Sequence, residues 1–299
     1  MISACAAVLV VAATVAGCSD PGDASDLGPR QPTETVTIGA ADDPVSAIGA
    51  LIYAGALRGI GAPVQTRLGM GDRAASISAV ERGDITVAPA LTGELWQRYR
   101  PGTPEPSSSA TATSGAGSAK DQWDGQFVAL SAVLPEGLGL ADPTMALDQP
   151  MLFTRSGGPS ASLRGCEGLT GPVAVPDGSP TDLVARYGCD VGPVLPVSDE
   201  AAAARALAEG RAGLAQLGTL SPVAQSFTQV ADPDSTVPPR AVVALLRREG
   251  LTVAQTKRLS AVAGELTTTD LGAMVEQVAS GKRTPEEVAA EWAVNHPLH

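Results

Sequence analysis

Cysteine, aspartate and a near absence of histidine set the chemical range of this chain. Its 299 residues include only two histidines, His296 and His299, both in the C-terminal tail. The body of the chain therefore has no imidazole to act as general base or zinc ligand, so Ser-His-Asp, Cys-His and zinc-hydrolase schemes lack their parts. No catalytic residue, metal site or cofactor is expected. Of the four cysteines, Cys18 closes Val15-Ala16-Gly17-Cys18 behind an apolar run from Ile2. That is the pattern in which a signal peptidase cuts before a cysteine that is then acylated. The run is shorter than the roughly 20 helical residues that cross a hydrocarbon core. Residues 1–17 read as a lipoprotein signal peptide, with Cys18 as the lipid-bearing new N-terminus and the rest extracytoplasmic, anchored to the outer face of the cell membrane. Cys5 leaves with the signal, and Cys166 and Cys189 remain together in an oxidising compartment. A disulfide between them is the favoured reading, two buried thiols the other.

Two further stretches could touch a ligand. Asp42 and Asp43 stand where a strand turns into a helix, placed either to face a cation or to cap the helix. Gly69-Met70-Gly71 precedes a second helix, whose free N–H groups could hold a carboxylate, although a plain tight turn is the more ordinary reason for the glycines. The formal net charge of −12 and the absence of any basic run exclude nucleic acid as a partner, since phosphate binding needs clustered Lys and Arg.

The elements that position these residues follow from pattern. Residues 18–33 are rich in Asp, Gly, Pro and Ser and read as a flexible tether. Thr35–Gly39 alternates as a strand, Val45–Ile60 has helical spacing, Val64–Leu68 is a strand, Asp72–Arg82 a helix and Ile85–Pro89 a third strand. This alternation predicts α/β architecture with mostly parallel sheets wrapped by helices. Residues 101–122 contain no apolar side chain larger than Ala and read as a disordered surface insertion, a candidate for O-glycosylation. Beyond it, strands are expected at Phe127–Leu134, Met151–Thr154, Val173–Pro176 and Ala241–Leu246, with Pro135–Asp148 irregular and Arg211–Leu217 returning to the sheet. Helices are expected at Ser179–Tyr187, Asp199–Glu209, Val253–Leu266, Thr269–Ser280 and Pro285–Val294.

From about Thr35 to Leu298 the order of these pieces resembles the substrate-binding proteins of the glycine betaine, carnitine and choline class of ABC importers. The stretches that carry the resemblance are VTIGAADDPVSAIGALIYAGAL, LGMGDRAASISAVERGDITVAPALTGELW, VPDGSPTDLVARYG, ALAEGRAGLAQLGTLSPVA, VADPDSTVPPRAVVALLR and ELTTTDLGAMVEQVASGKRTPEEVAAEW. No one of them is diagnostic; their collinearity is. The resemblance implies a two-lobed periplasmic-binding-protein fold with a hinged cleft, lobe 1 from residues 34–148 plus 232–299 and lobe 2 from 149–231. It implies a small polar or zwitterionic solute in the cleft, an ABC permease as partner and no catalysis. Thr92, Thr144 and Asp177 match cleft-lining family positions, Met145 stands where the family has a tyrosine, either to line the pocket or to fill core, and Asp42 and Asp43 lie where its first ligand-facing loop is.

The family's aromatic cage for a trimethylammonium group is missing. Where the family reads Pro-Glu-Tyr-Thr-Gly, residues 89–93 are Pro-Ala-Leu-Thr-Gly, and where it reads Asn-Asp-Thr-Tyr, residues 142–145 are Asp-Pro-Thr-Met. Pro176 replaces the usual Arg before Asp177-Gly178. Trp96 and Tyr99 follow at helical spacing, either as packing residues or as a relocated ring wall. The competing function is a repurposed envelope binding module with another ligand or a protein partner.

Overall fold

The computed structural model describes residues 34–106, 119–158, 160–177, 179, 188–233 and 237–298. The signal peptide, the tether, Cys18, residues 107–118 of the insertion and residues 180–187 of the helix expected at Ser179–Tyr187 lie outside the described residues.

Two five-stranded sheets organise the rest. The first has the order β2 (Val64–Arg67), β1 (Val36–Gly39), β3 (Val87–Leu91), β10 (Val242–Arg247), β4 (Leu138–Leu140). The second runs β7 (Val194–Val197), β6 (Val173–Pro176), β8 (Leu214–Gly218), β5 (Pro150–Arg155), β9 (Phe227–Gln229). In the first sheet the strands joined by helical crossovers pair in parallel, β1 with β2 and β3; in the second, β6 pairs in parallel with β7 and β8. The chain then crosses to the other sheet and returns, so the strands at the crossings, β10 and β5, pair antiparallel with both neighbours. The sheets are thus mixed, half antiparallel, rather than mostly parallel.

The helices are α1 (Pro44–Arg58), α2 (Arg73–Arg82), α3 (Thr92–Tyr99), α4 (Ala119–Val133), α5 (Glu200–Ala208), α6 (Val253–Ala261), α7 (Thr268–Ala279) and α8 (Pro285–Asn295). α1 is apolar on nearly every face and is correspondingly buried between β1 and the helices α6, α7 and α8. Ile48, Ile52, Tyr53 and Leu57 are among its fully buried side chains. Each aliphatic one contributes roughly 1.5–3 kcal/mol of transfer free energy. The second sheet has its own core, with Leu152, Leu163, Leu207, Leu214 and Val230.

The strand expected at Phe127–Leu134 is instead the second half of α4. Gln126 and Leu130 are buried while Val128 is 65% exposed, which is four-residue periodicity; a strand would put all three on one face. A short apolar run does not reveal its period until its neighbours do. The insertion is also narrower than expected. Residues 101–106 are tied to the first lobe, where the Trp96 indole N–H donates to the Thr103 and Pro104 carbonyls and Glu105 pairs with Arg240, and residues 119–122 are already helical. The third strand starts two residues later than expected, and Pro135–Asp148 contains β4.

The chain passes between the sheets through residues 141–149 and 230–241. These two crossings bond to each other: Leu147 bridges Ala241 antiparallel, and the Asp148 N–H donates to the Arg240 carbonyl at 2.9 Å. Two short paired segments are a joint that permits hinge motion.

Candidate functional site

Asp43 caps α1, accepting from the Ser46 N–H at 3.0 Å and from the Ser46 hydroxyl at 2.7 Å, with Pro44 at the first helical position. The cap leaves its carboxylate facing Arg73, the first residue of α2. Arg73 Nε donates to Asp43 Oδ2 at 3.0 Å and Nη2 to Asp43 Oδ1 at 2.9 Å, a two-pronged pairing. Arg73 Nη1 also reaches Glu94 Oε1 at 3.1 Å, and both Nη atoms approach Asp148 Oδ2 at 3.4–3.5 Å. One guanidinium therefore joins the ends of α1, α2 and α3 to the first crossing segment.

A cation at a helix N-terminus opposes the helix dipole by about 0.3–1 kcal/mol, so Arg73 needs these anions. Burial would lower its pKa, but Asp43, Glu94 and Asp148 outweigh that and raise it, so the group stays charged. Burial likewise pushes the Asp43 carboxyl up, yet the hydrogen bonds and charge of Arg73, helped by Ser46, hold it below the ordinary carboxylate value. For Glu94 burial prevails over Arg73, and its pKa is raised. Its Oε2 is buried with no hydrogen-bond partner among the described residues.

A cavity of about 300 Å³ lies between the two sheets beside this cluster. Asp43, Arg73 and Asp148 line it from one side, with Val275 of α7; Glu200, Gly218 and Ser221 line it from the other. Glu200, in the first turn of α5, accepts from the Gly218 N–H at 2.7 Å, and Asp148 Oδ1 accepts from the Leu220 N–H at 3.4 Å. A side chain at position 218 would run into both carboxylates, at 2.9 Å from Asp148 Oδ1 and 3.3 Å from Glu200 Oε1. Among the described residues, no aromatic side chain lines the cavity. Trp96 and Tyr99 pack within the first lobe, where the Tyr99 hydroxyl donates to Glu81. Among the described residues no group of three or more His, Cys, Asp or Glu is arranged to hold a metal ion.

Of the residues expected from the sequence to meet a ligand, Asp43 lines this cavity and the others sit elsewhere. Thr92 is buried, its hydroxyl accepting from the Ala241 N–H at 3.1 Å. Thr144 is fully buried and donates to the Val242 carbonyl at 2.9 Å. Both hydroxyls fasten the second crossing segment and the start of β10. Met145 is 49% exposed, beside Thr267 at the start of α7. Asp42 and Gly71 hydrogen-bond to each other, the Asp42 N–H to the Gly71 carbonyl at 2.8 Å and the Gly71 N–H to Asp42 Oδ1 at 3.3 Å, which joins the loops after β1 and β2. Gly71 has φ +85°, so the glycine answers to the turn. Asp177 is exposed and its N–H donates to the Val197 carbonyl at 2.8 Å. Arg73, Glu94, Asp148 and Glu200 were not singled out from sequence. The available signal was Arg73 itself, a cation in the one helical turn where cations are disfavoured.

Two lobes, a paired crossing and a polar cavity between them define a two-lobed solute-binding protein. The family model for OpuAC, the substrate-binding domain of the ABC-type glycine betaine transport system, matches residues 34–123 and 173–295. The chain belongs to this family of ABC transporter substrate-binding proteins. Among solved structures, apo YehZ from Escherichia coli is 18% identical with a TM-score of 0.70, over 89% of this chain and 100% of that one. A glycine betaine/carnitine/choline ABC transporter structure is 14% identical with a TM-score of 0.72, over 87% and 98%. A choline-binding protein in complex with choline is 14% identical at 0.50, over 88% and 89%. At these identities the likenesses show the fold. No curated protein matches the chain by sequence. Cys166 and Cys189 form a disulfide, with Cα atoms 5.5 Å apart. No helix among the described residues is long and apolar enough to cross a membrane.

Proposed function

We propose that this chain is the lipid-anchored, extracytoplasmic receptor of an ABC importer, held to the membrane through Cys18 and handing a small polar or zwitterionic solute to the permease. Family membership supports the transport role. The observation that carries the solute role is the roughly 300 Å³ cavity walled by residues of both sheets, which suits a small molecule and a closing hinge. Of the ligand-facing residues expected from sequence, Asp43 is the one this reading retains, joined by Asp148, Glu200 and Ser221. The Val-Ala-Gly-Cys motif supports the anchor.

The absence of rings among the described residues around the cavity favours a second reading, an envelope binding module turned to a different ligand or a protein partner. Chemical crosslinking of the full chain in its native membrane separates the two. Covalent capture of an ABC permease subunit is the expected result, with Cys18→Ala releasing the chain from the membrane fraction. Capture of an unrelated envelope protein and no permease would overturn transport in favour of the second reading.

A further inference from the structure

The walls of the interlobe cavity state what charge its occupant carries. A quaternary ammonium has no N–H, so a protein holds it by ring faces rather than by hydrogen bonds. Among the described residues, this cavity has no ring and instead has carboxylates at three corners, Asp43, Asp148 and Glu200. Arg73 is the only cation among its described lining residues. All of its nitrogens are engaged, Nε and Nη2 on Asp43, Nη1 on Glu94, and both Nη on Asp148. No guanidinium donor is left over to receive a carboxylate from a ligand. Asp43 is neutralised by that pairing, which leaves Asp148 and Glu200 in excess of the positive charge. These two converge from opposite sides on Gly218, where the missing side chain keeps the space between them open: a Cβ there would lie 2.9 Å from one oxygen and 3.3 Å from the other. Glu200 keeps acceptor capacity beyond its bond from the Gly218 N–H, and Asp148 keeps some beyond the Leu220 N–H and its two long contacts with Arg73, since a carboxylate offers about four lone-pair sites.

We infer that the cavity takes a net-cationic solute bearing N–H donors, a primary or secondary ammonium or a guanidinium seated over Gly218 between Asp148 and Glu200, in preference to a quaternary or zwitterionic one. This narrows the receptor reading, replacing its polar or zwitterionic solute by a cationic one, and rests on that reading in using the same cavity. Charge-assisted N–H···O bonds to two carboxylates supply affinity that a methylated cation cannot obtain here.

The test is calorimetric titration of the full chain with three probes: 1,4-diaminobutane, its hexamethylated bis-quaternary analogue, and glycine betaine. The diamine is expected to bind at least tenfold more tightly than either of the others. Glu200→Gln, which retains the acceptor for the Gly218 N–H, and Asp148→Asn are each expected to weaken the diamine about tenfold. Thermal unfolding of each unliganded variant checks that it is folded, and a variant that is not folded is replaced by Gly218→Ala, whose methyl enters the same space. Tighter binding of glycine betaine would overturn this inference while leaving the importer reading intact. Equal binding of diamine and bis-quaternary analogue, insensitivity of folded variants, or no binding of any probe would each overturn it, whereas permease capture is read separately.

Discussion

On the first-lobe side of the cavity Arg73 is cross-bonded to Asp43, Glu94 and Asp148, while the second-lobe side contributes, among the described residues, Glu200, Gly218 and Ser221 and no cation. The lobes behind these walls differ in the same direction. The first is held by a helix buried on almost every face, α1, under three further helices. The second has a smaller core and a disulfide, Cys166–Cys189, packed against it. One wall is therefore pre-arranged by its own ion pairs and a large core. The other is a small lobe whose loops are tied covalently, and its free carboxylate is what remains for a ligand.

Removing the disulfide should break that comparison most visibly. Closing a loop with a sequence separation of 23 stabilises by about 3 kcal/mol in the chain-entropy account. The double variant Cys166→Ser/Cys189→Ser should lose that amount, and hydrogen exchange should speed up in β6 and β8 while β1 and β3 keep their protection. Uniform loss across both sheets would show that the lobes do not differ in the way described.

Next in size is Arg73→Met, which keeps the aliphatic volume and removes the charge. Breaking a buried pair costs 3–5 kcal/mol, and partial solvent access here reduces that to about 2–3 kcal/mol. The loss should be larger at neutral pH than in acid, because Arg73 holds the Asp43 carboxyl below its ordinary value and their pairing is lost only when Asp43 is protonated, and thermal unfolding between pH 3 and 7 measures it.

Asp43 sharpens the point because it has two jobs. Asn caps helices as well as Asp does, so Asp43→Asn isolates the charge from the cap. The Asp43 pKa lies below its ordinary value of 3.8 in the folded protein, so its contribution is present above about 3.8 and is lost as pH falls through the folded value. The variant should therefore be less stable by about 1–2 kcal/mol at pH 7, and the gap should close only as pH falls below about 3.8. A gap that widened on acidification would remove the ion pair from the account.

Much of this fold could be read from local pattern, because caps, turns and helical spacing are short-range. Thr252 and Thr284 cap α6 and α8 with the reciprocal Gln255 and Glu287 bonds, and Gly83 closes α2 at φ +81°. The half-antiparallel sheets were not legible, since they depend on where the chain crosses between lobes. The charged wall was hidden for the same reason. Arg73 meets Asp148 across 75 residues, and neither residue type nor neighbour announces the meeting. Thr92 and Thr144 were placed at the cleft because their positions match the family's, yet a hydroxyl beside a crossing segment can serve the backbone instead, and theirs do. Family position places a residue on an element; which way its polar atom turns is decided by what needs a hydrogen bond there.

The smallest expected effect separates the cavity from its surroundings. Gly93 follows Thr92 in α3, and a Cβ there would meet the Arg240 side chain at 2.6–2.7 Å. Arg240 cannot simply swing aside, because it holds the buried carboxylate of Glu105 and so fastens residues 101–106 to the lobe. Gly93→Ala should thus cost about 1 kcal/mol, at the low end for overpacking, since a long side chain yields more easily than backbone. Limited proteolysis should cut more readily after Arg100, and solute affinity should not move, because neither Gly93 nor Arg240 lines the cavity. If affinity did change, the first-lobe wall would extend beyond Arg73 and its three carboxylates to the segment that Arg240 fastens, and the contrast between a fixed wall and a ligand-bearing one would have to be redrawn around α3.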